Sequence, residues 1–245
     1  MIRQHKIPLV LVSSKTLAEL EDYREQLQLA HPVVAENGAT LFVPDAYFTR
    51  SPIPSLNSIS RAELRSAYEK VKSAGSFDCL AFYELGISGI VRETGLTEQQ
   101  ALRANDREAS EPILWCDSEA RASEFESAMN ALGLRCVMGG RFMHLLGNTG
   151  KEDAVRQVLQ AYADEWPDRE LVSVSLGDGP NDLGMLSRTD IAVIIPGKHK
   201  HRMELRSQNR ILRPSSAGPV GWNEAMLTLF KEIDEDQLSL NDNGE

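Results

Sequence analysis

The sequence lacks several features that mark common classes of protein. Only three cysteines occur in 245 residues, Cys79, Cys116 and Cys136, and no two of them form a Cys-x-x-Cys pair. Their number and spacing exclude a disulfide scaffold and a zinc knuckle and favour reduced thiols. No apolar run approaches the ~18–20 residues that cross a bilayer, and the N-terminal run Ile7–Val12 is too short for a signal peptide. These absences predict a cytoplasmic protein without a membrane partner.

Basic residues are also in short supply. The chain has 26 Lys and Arg against 36 Asp and Glu, which gives a net charge of −10. Without a basic stripe, nucleic acid is a poor candidate for a partner. A small anionic ligand is compatible with this charge because a few local bases and a divalent cation can outweigh the global sign. No base follows Lys231, so residues 232–245 are predicted to form a disordered acidic tail.

Short apolar runs alternate with helical patterns at both ends of the chain. Ile7–Val12, Leu171–Leu176 and Ile191–Ile195 are typical of strands buried on both faces of a parallel sheet. The proline-rich stretch after Pro44 marks the entry to a segment of mixed helices and short strands. The sequence therefore predicts an α/β protein whose parallel core is interrupted by an α+β cap. The predicted boundaries are residues 1–44 for the first part of the core, 45–145 for the cap, 146–231 for the second part of the core and 232–245 for the tail.

A glycine-rich turn follows the strand predicted at Leu171–Leu176. It reads Gly177-Asp-Gly-Pro-Asn-Asp182, and Asp178 stands where a parallel strand ends and where α/β folds bind ligands. Asp182 lies four residues further on, so both carboxylates can face the same rim. Carboxylate oxygens suit Mg²⁺, which shares them with substrate phosphate. The alternative is a simple turn with a capping aspartate.

The turn Gly177–Asp182 resembles the fourth motif of the haloacid dehalogenase-like phosphatases. The accompanying segments are Ser13-Ser-Lys-Thr16, Glu36-Asn-Gly-Ala39, Gly139-Gly-Arg-Phe-Met-His144, Gly150-Lys151 and Gly218-Pro-Val-Gly-Trp222. Together they resemble the mannosyl-3-phosphoglycerate phosphatase family over nearly the whole chain except the tail. The resemblance implies a Rossmann-like parallel core with an inserted α+β cap. It also implies Mg²⁺-dependent hydrolysis of mannosyl-3-phosphoglycerate to mannosylglycerate and phosphate.

The resemblance assigns roles to individual residues. Ser13 and Lys151 match the phosphate-binding hydroxyl and lysine of the family, and Asp178 and Asp182 match its metal site. The residues implied in binding the phosphorylated sugar-glycerate are Lys15, Asn37, Arg141, His144 and Asn181. Plainer alternatives stay open for three residues: Ser13 as a loop serine or helix-side cap, Lys151 as a solvated lysine and His144 as a core histidine.

The family's reaction also uses an aspartate nucleophile, in an Asp-x-Asp motif after the first, central strand. No such motif precedes Ser13, and a chain without it is expected to be almost inactive. Asp117 is predicted to cap a helix, and Asp234 and Asp236 lie in the predicted tail, so none of them replaces it.

Three interpretations of this gap follow. The true start lies upstream and restores the motif, which we favour because loss of a central strand would cost more than the stability of a typical domain. Alternatively, the chain is a catalytically silent homologue that binds phosphosugars. A phosphatase for another sugar phosphate is the third interpretation. The sequence makes no prediction of the oligomeric state.

Overall fold

The computed structural model describes residues 1–53, 56, 58–197, 203–205 and 210–240. By internal contacts the chain forms two compact units. The carboxyl-terminal unit contains residues 1–8, 48–53 and 151–245, and the amino-terminal unit contains residues 9–47 and 54–150. The sequence instead groups residues 1–44 with the core, and its domain limits stay a prediction.

The described residues form ten strands and eight α-helices. The strands are β1 (Leu11–Val12), β2 (Val33–Ala35), β3 (Thr40–Phe42), β4 (Cys79–Ala81), β5 (Ser110–Trp115), β6 (Arg135–Met138), β7 (Met143–Leu146), β8 (Val174–Gly177), β9 (Ile191–Ile194) and β10 (Arg210–Leu212). The helices are α1 (Leu17–Leu27), α2 (Arg61–Gly75), α3 (Phe82–Thr94), α4 (Glu98–Asn105), α5 (Glu119–Ala131), α6 (Lys151–Glu165), α7 (Leu183–Leu186) and α8 (Gly218–Asp234). None of the described helices is both long and apolar enough to cross a membrane.

The carboxyl-terminal unit is built on a parallel sheet with the strand order β10-β9-β8. The central strand β9 reads Ile-Ala-Val-Ile and is buried throughout, as expected of a strand covered on both faces. Its Ile191 and Val193 pack with Ala225 and Leu229 of α8. The outer strand β8 ends at Gly177. The glycine-rich turn therefore opens at the edge of this sheet.

The amino-terminal unit contains two sheets. In the smaller one, β1 pairs in parallel with β2, and β2 pairs antiparallel with β3 around the turn Glu36–Gly38. In the larger one, the antiparallel strands follow the order β4-β5-β7-β6. Helices α2 and α5 cover one of its faces, where Leu64, Tyr68, Phe125 and Met129 are fully buried. This second sheet has the mixed helix-and-sheet packing that the sequence predicts for a cap.

The last helix extends past residue 231, where the sequence predicts the core to end and the tail to begin. Helix α8 continues to Asp234, and Arg210 of β10 donates to both carboxylate oxygens of Glu232 at 2.5 and 2.6 Å. Residues 232–234, the first of the predicted tail, are helical, and the partly buried Arg210 pairs with the charge of Glu232. Residues 241–245 of the predicted tail lie outside the described residues.

Candidate phosphate and metal site

Asp182 closes the turn that follows β8. A short 3₁₀ turn runs over Pro180–Asp182. The buried Asp182 carboxylate accepts hydrogen bonds through Oδ2 from the backbone N–H groups of Asp178 and Gly179, both at 3.1 Å. One carboxylate oxygen thus acts as the capping group that the sequence left open as an alternative.

The other oxygen of Asp182 binds Lys151. Lys151 is the first residue of α6, and its Nζ lies 2.6 Å from Asp182 Oδ1. The side chain of Lys151 is only 6% exposed, so it is not the solvated lysine of the plainer interpretation. An ammonium has three hydrogens to donate. The pair with Asp182 therefore orients Lys151 while leaving it able to bind a further acceptor.

Asp178 has a different environment from Asp182. It is exposed, and its carboxylate accepts no hydrogen bond from the residues that the structure describes. The two carboxylates predicted at the metal are therefore distinct: Asp178 presents open oxygens, whereas both oxygens of Asp182 are engaged.

Of the two carboxylates in this turn, that of Asp178 is the one available to bind Mg²⁺. Mg²⁺ prefers oxygen ligands and keeps several waters, so one or two protein carboxylates and a substrate phosphate complete its shell. Within the described ranges, no group of three or more His, Cys, Asp or Glu side chains is arranged to hold a metal. The residues present thus fit an ion held by a single carboxylate and completed by phosphate and water. The role of Asp182 as a second ligand stays a prediction.

A cavity of about 350 Å³ opens beside Asp178. The residues that line it are Leu176, Gly177, Asp178, Ile195, Gly218, Pro219 and Trp222. Three of them belong to the Gly218–Trp222 segment, in which Gly218 adopts a φ of 58° that favours glycine. Most of these walls are apolar, so the cavity offers an apolar surface beside the exposed carboxylate of Asp178.

In the amino-terminal unit, the turn after β1 brings three predicted residues together. Ser13 Oγ accepts a hydrogen bond from the Lys15 N–H at 3.2 Å, and the Ser13 carbonyl accepts one from the Asn37 N–H at 2.9 Å. The Lys15 ammonium pairs with Glu19 at 3.0 Å. Since an acceptor position of Ser13 Oγ is taken by an N–H group, its own hydrogen is directed elsewhere and can be donated to an anion.

The remaining predicted substrate residues differ in exposure. Arg141 is exposed in the turn between β6 and β7, and Asn181 is half-buried in the turn before Asp182. His144 is buried in β7, opposite Pro112 of β5 and Val137 of β6. The burial of His144 agrees with the core-histidine alternative, whereas Arg141 presents a guanidinium that a carboxylate can reach.

Sequence reasoning missed two buried charges next to the Ser13 turn, Glu36 and Arg107. The Glu36 side chain is buried and binds the backbone of residues 108 and 109, while Arg107 donates to the carbonyl of Ser14. In the sequence, Glu36 is marked only by its position in the segment Glu36-Asn-Gly-Ala39, which resembles a family motif. No pattern around Arg107 distinguishes it from a surface arginine.

Gly177 leaves the space that Asp182 occupies. A Cβ at position 177 would lie 2.5 Å from Asp182 Cβ and 2.9 Å from its Cγ. We expect Gly177→Ala to push the carboxylate away from Lys151 and to lower the free energy of unfolding by about 1–3 kcal/mol, the usual cost of overpacking. Chemical denaturation measures this loss.

The matched control for this substitution is Gly140→Ala. A Cβ at position 140 meets nothing within 4 Å, so the free energy of unfolding should stay the same or rise slightly. Equal stability of the Gly177 and Gly140 variants would contradict the close packing of Asp182 on Gly177.

The chain matches the family model of the haloacid dehalogenase-like hydrolases over residues 1–201. It is 31% identical over 243 residues to the glucosyl-3-phosphoglycerate/mannosyl-3-phosphoglycerate phosphatase of Methanococcoides burtonii. That alignment covers 94% of this chain and 87% of the relative. The chain therefore belongs to the haloacid dehalogenase-like hydrolases.

Two solved structures share the fold. A phosphatase of the haloalkanoate enzyme superfamily from Bacteroides thetaiotaomicron has a TM-score of 0.62 at 15% identity. The alignment covers 93% of this chain and 83% of that chain. The sucrose-phosphatase of Synechocystis, solved with sucrose and phosphate, has a TM-score of 0.58 at 14% identity, with 92% and 86% covered. At these identities the likeness shows the fold alone.

These findings confirm three of the expectations drawn from the sequence. The predicted family is confirmed by the family model and by the relative from Methanococcoides burtonii. The α/β Rossmann-like fold with a cap is confirmed by the structural neighbours. By family, the chain is a phosphoric monoester hydrolase.

Proposed function

We propose that the protein is a Mg²⁺-dependent phosphatase that hydrolyses mannosyl-3-phosphoglycerate to mannosylglycerate and phosphate. The observation that carries the proposal is the buried ion pair of Lys151 and Asp182 at 2.6 Å, beside the exposed carboxylate of Asp178. An oriented ammonium and a carboxylate open to a cation are the two kinds of group that bind a phosphate dianion together with Mg²⁺.

Each residue of this site has its own task in the proposal. The family resemblance assigns phosphate binding to Lys151, which would donate from its ammonium, and to Ser13, which would donate its hydroxyl hydrogen. Asp178 holds Mg²⁺, which when bound supplies positive charge against the phosphoryl oxygens. Asp182 keeps Lys151 in place and the turn closed, so it acts through its neighbours.

The choice of substrate is supported by the relative and by the cap. The relative from Methanococcoides burtonii is named for both the glucosyl and the mannosyl ester of 3-phosphoglycerate. In the proposal, Arg141 pairs with the glycerate carboxylate, because a guanidinium binds a carboxylate through two parallel hydrogen bonds. In the proposal, Lys15, Asn37 and Asn181 also contact the sugar or the glycerate, whereas the buried His144 keeps its place in the core. The same relative favours glucosyl-3-phosphoglycerate as the second candidate substrate.

The compartment and partners form part of the same proposal. All three cysteines are free thiols, which is typical of a reducing cytoplasm. The net charge of −10 supports a small phosphorylated ligand, with local bases and a cation at the site, over nucleic acid or an anionic membrane.

Isothermal titration of mannosyl-3-phosphoglycerate, with and without Mg²⁺, tests the proposal on the chain as it stands. We expect saturable binding that Mg²⁺ strengthens. Asp178→Asn should weaken the Mg²⁺-supported binding by about tenfold or more, equivalent to about 1.4 kcal/mol, and should change the metal-free binding little. The same titration with glucosyl-3-phosphoglycerate compares the affinities of the two candidate substrates.

The control variant is Asp168→Asn, which makes the same charge change at an exposed position of the same unit. It should bind as the wild type does. Absence of saturable binding by the wild type would contradict the proposed function. Equal Mg²⁺ dependence of the Asp178 and Asp168 variants would contradict the role of Asp178.

A further inference from the structure

Glu36 is a buried carboxylate with an unusually complete set of donors. It is 1% exposed. Its Oε1 accepts the Glu108 N–H at 2.9 Å and the Thr40 hydroxyl at 3.3 Å, and its Oε2 accepts the Ala109 N–H at 3.3 Å and the Ser110 hydroxyl. A carboxylate bound in this way ties the turn between β2 and β3 to the start of β5.

Arg107 is the opposite charge of the same cluster. Its side chain is 4% exposed. The guanidinium donates to the carbonyl of Ser14 at 3.3 Å, to the carbonyl of Ala104 at 2.9 Å and to the hydroxyl of Ser110 at 2.9 Å. Glu19 lies 3.9 Å away. Arg107 thus reaches the backbone of the Ser13 turn from within the protein, and shares Ser110 with Glu36.

The two turns held by these charges are also bonded to each other. The Asn37 N–H donates to the carbonyl of Ser13 at 2.9 Å, and the Glu36 N–H donates to the carbonyl of Lys15 at 2.8 Å. Glu36 and Asn37 both adopt positive φ angles, 50° and 58°. Non-glycine residues hold this backbone conformation only where their surroundings over-determine it, and it is concentrated at functional sites.

We propose that Glu36 and Arg107 are positioning residues that fix the Ser13–Lys15 turn for phosphate binding. The inference rests on the proposed phosphate-binding role of Ser13. Arg107 holds the Ser14 carbonyl, and Glu36 holds the neighbouring turn to which the Ser13 and Lys15 carbonyls are bonded. Together they orient the Ser13 hydroxyl, because the hydrogen bond from the Lys15 N–H to Ser13 Oγ depends on the conformation of this turn.

The same unit supplies a matched control for a merely structural role. Glu111 is another fully buried carboxylate, paired with Arg61 at 2.7 Å and Arg65 at 2.8 Å. No hydrogen bond among the described residues joins Glu111 to residues 13–16 or 36–37. Glu111→Gln therefore removes a buried charge of the same kind without touching the two turns.

Titration of the full chain with inorganic phosphate and Mg²⁺ tests the proposal. We expect Glu36→Gln and Arg107→Met to raise the dissociation constant by about tenfold or more, and Glu111→Gln to change it less than about twofold. In a Ser13→Ala background, Arg107→Met should cause little further loss, since it acts through the Ser13 turn. The proposal would be overturned if the losses of affinity caused by Ser13→Ala and Arg107→Met added fully in the double variant. It would also be overturned if Glu111→Gln weakened phosphate binding as much as Glu36→Gln does.

Amide hydrogen exchange in the ligand-free chain tests the positioning role separately from phosphate binding. The N–H groups of Lys15, Glu36 and Asn37 should exchange faster in the Glu36 and Arg107 variants than in the wild type, and at wild-type rates in the Glu111 variant. Unchanged exchange would overturn the positioning role. If the wild type bound no phosphate, the function proposed for Ser13 would be contradicted. If the wild type and the variants bound phosphate equally well, only the positioning role of Glu36 and Arg107 would be contradicted.

Discussion

Adding an Asp-x-Asp strand before Met1 is expected to raise the rate of phosphate release steeply. The extended chain should release phosphate from mannosyl-3-phosphoglycerate, in the presence of Mg²⁺, ~10⁴-fold faster or more than residues 1–245, since loss of catalytic-unit residues costs factors of this order. Residues 1–12 contain no carboxylate side chain. Transfer of the phosphoryl group to an aspartate divides the hydrolysis into two steps, and neither step has its attacking or leaving group without that aspartate.

A colorimetric phosphate-release assay measures the effect of the extension. The matched control carries Asn in place of the first Asp of the motif, and it should be as inactive as residues 1–245. Equal activity with and without the motif would show that our account of the nucleophile is wrong. If the extended chain binds the substrate without turnover, the silent phosphosugar-binding function is favoured instead.

Lys151→Met is expected to destabilise the protein by about 3–5 kcal/mol, because it leaves the buried Asp182 carboxylate without its cation. Asp182 is 9% exposed and Lys151 6% exposed in their side chains, so solvent offers little compensation. The backbone N–H groups of Asp178 and Gly179 would still hold one carboxylate oxygen. Urea unfolding measures the loss of free energy.

A second variant separates the stability of this pair from its proposed role in binding. Lys151→Met combined with Asp182→Asn removes both charges, and the amide oxygen can still accept from the backbone of the turn. The double variant should recover most of the lost free energy, yet phosphate binding should stay impaired. Wild-type stability of Lys151→Met would show that the ion pair is open to solvent, and wild-type phosphate binding would show that Lys151 is not a phosphate ligand.

The local parts of the fold follow from short-range patterns. The apolar Ile191–Ile195 predicts a buried strand, and β9 occupies Ile191–Ile194. Asn37-Gly38 between apolar segments predicts a hairpin, and β2 pairs antiparallel with β3 around it. These predictions hold because strand burial and turn conformation depend on neighbouring residues.

Helix α3 shows where local patterns mislead. The apolar run Phe77–Tyr83 predicts one strand, but β4 ends at Ala81 and α3 begins at Phe82. Gly86, with a φ of 62°, interrupts the helix. Ile90 is buried with Ala101 and Ala104 of α4. The helix therefore begins inside the predicted strand, and its packing on α4 is a contact that the pattern of residues 77–83 does not show.

The sequence by itself determined the family, the α/β class and the positions at which Ser13, Lys151 and Asp178 occur, because these are carried by contiguous motifs. Only the tertiary structure decided which side chains meet. Lys151 and Asp182 are 31 residues apart, and Glu36 and Ser110 are 74 apart. Such contacts form when separate elements bury their charges against one another, and the partner of a buried charge is set by that packing rather than by any spacing along the chain.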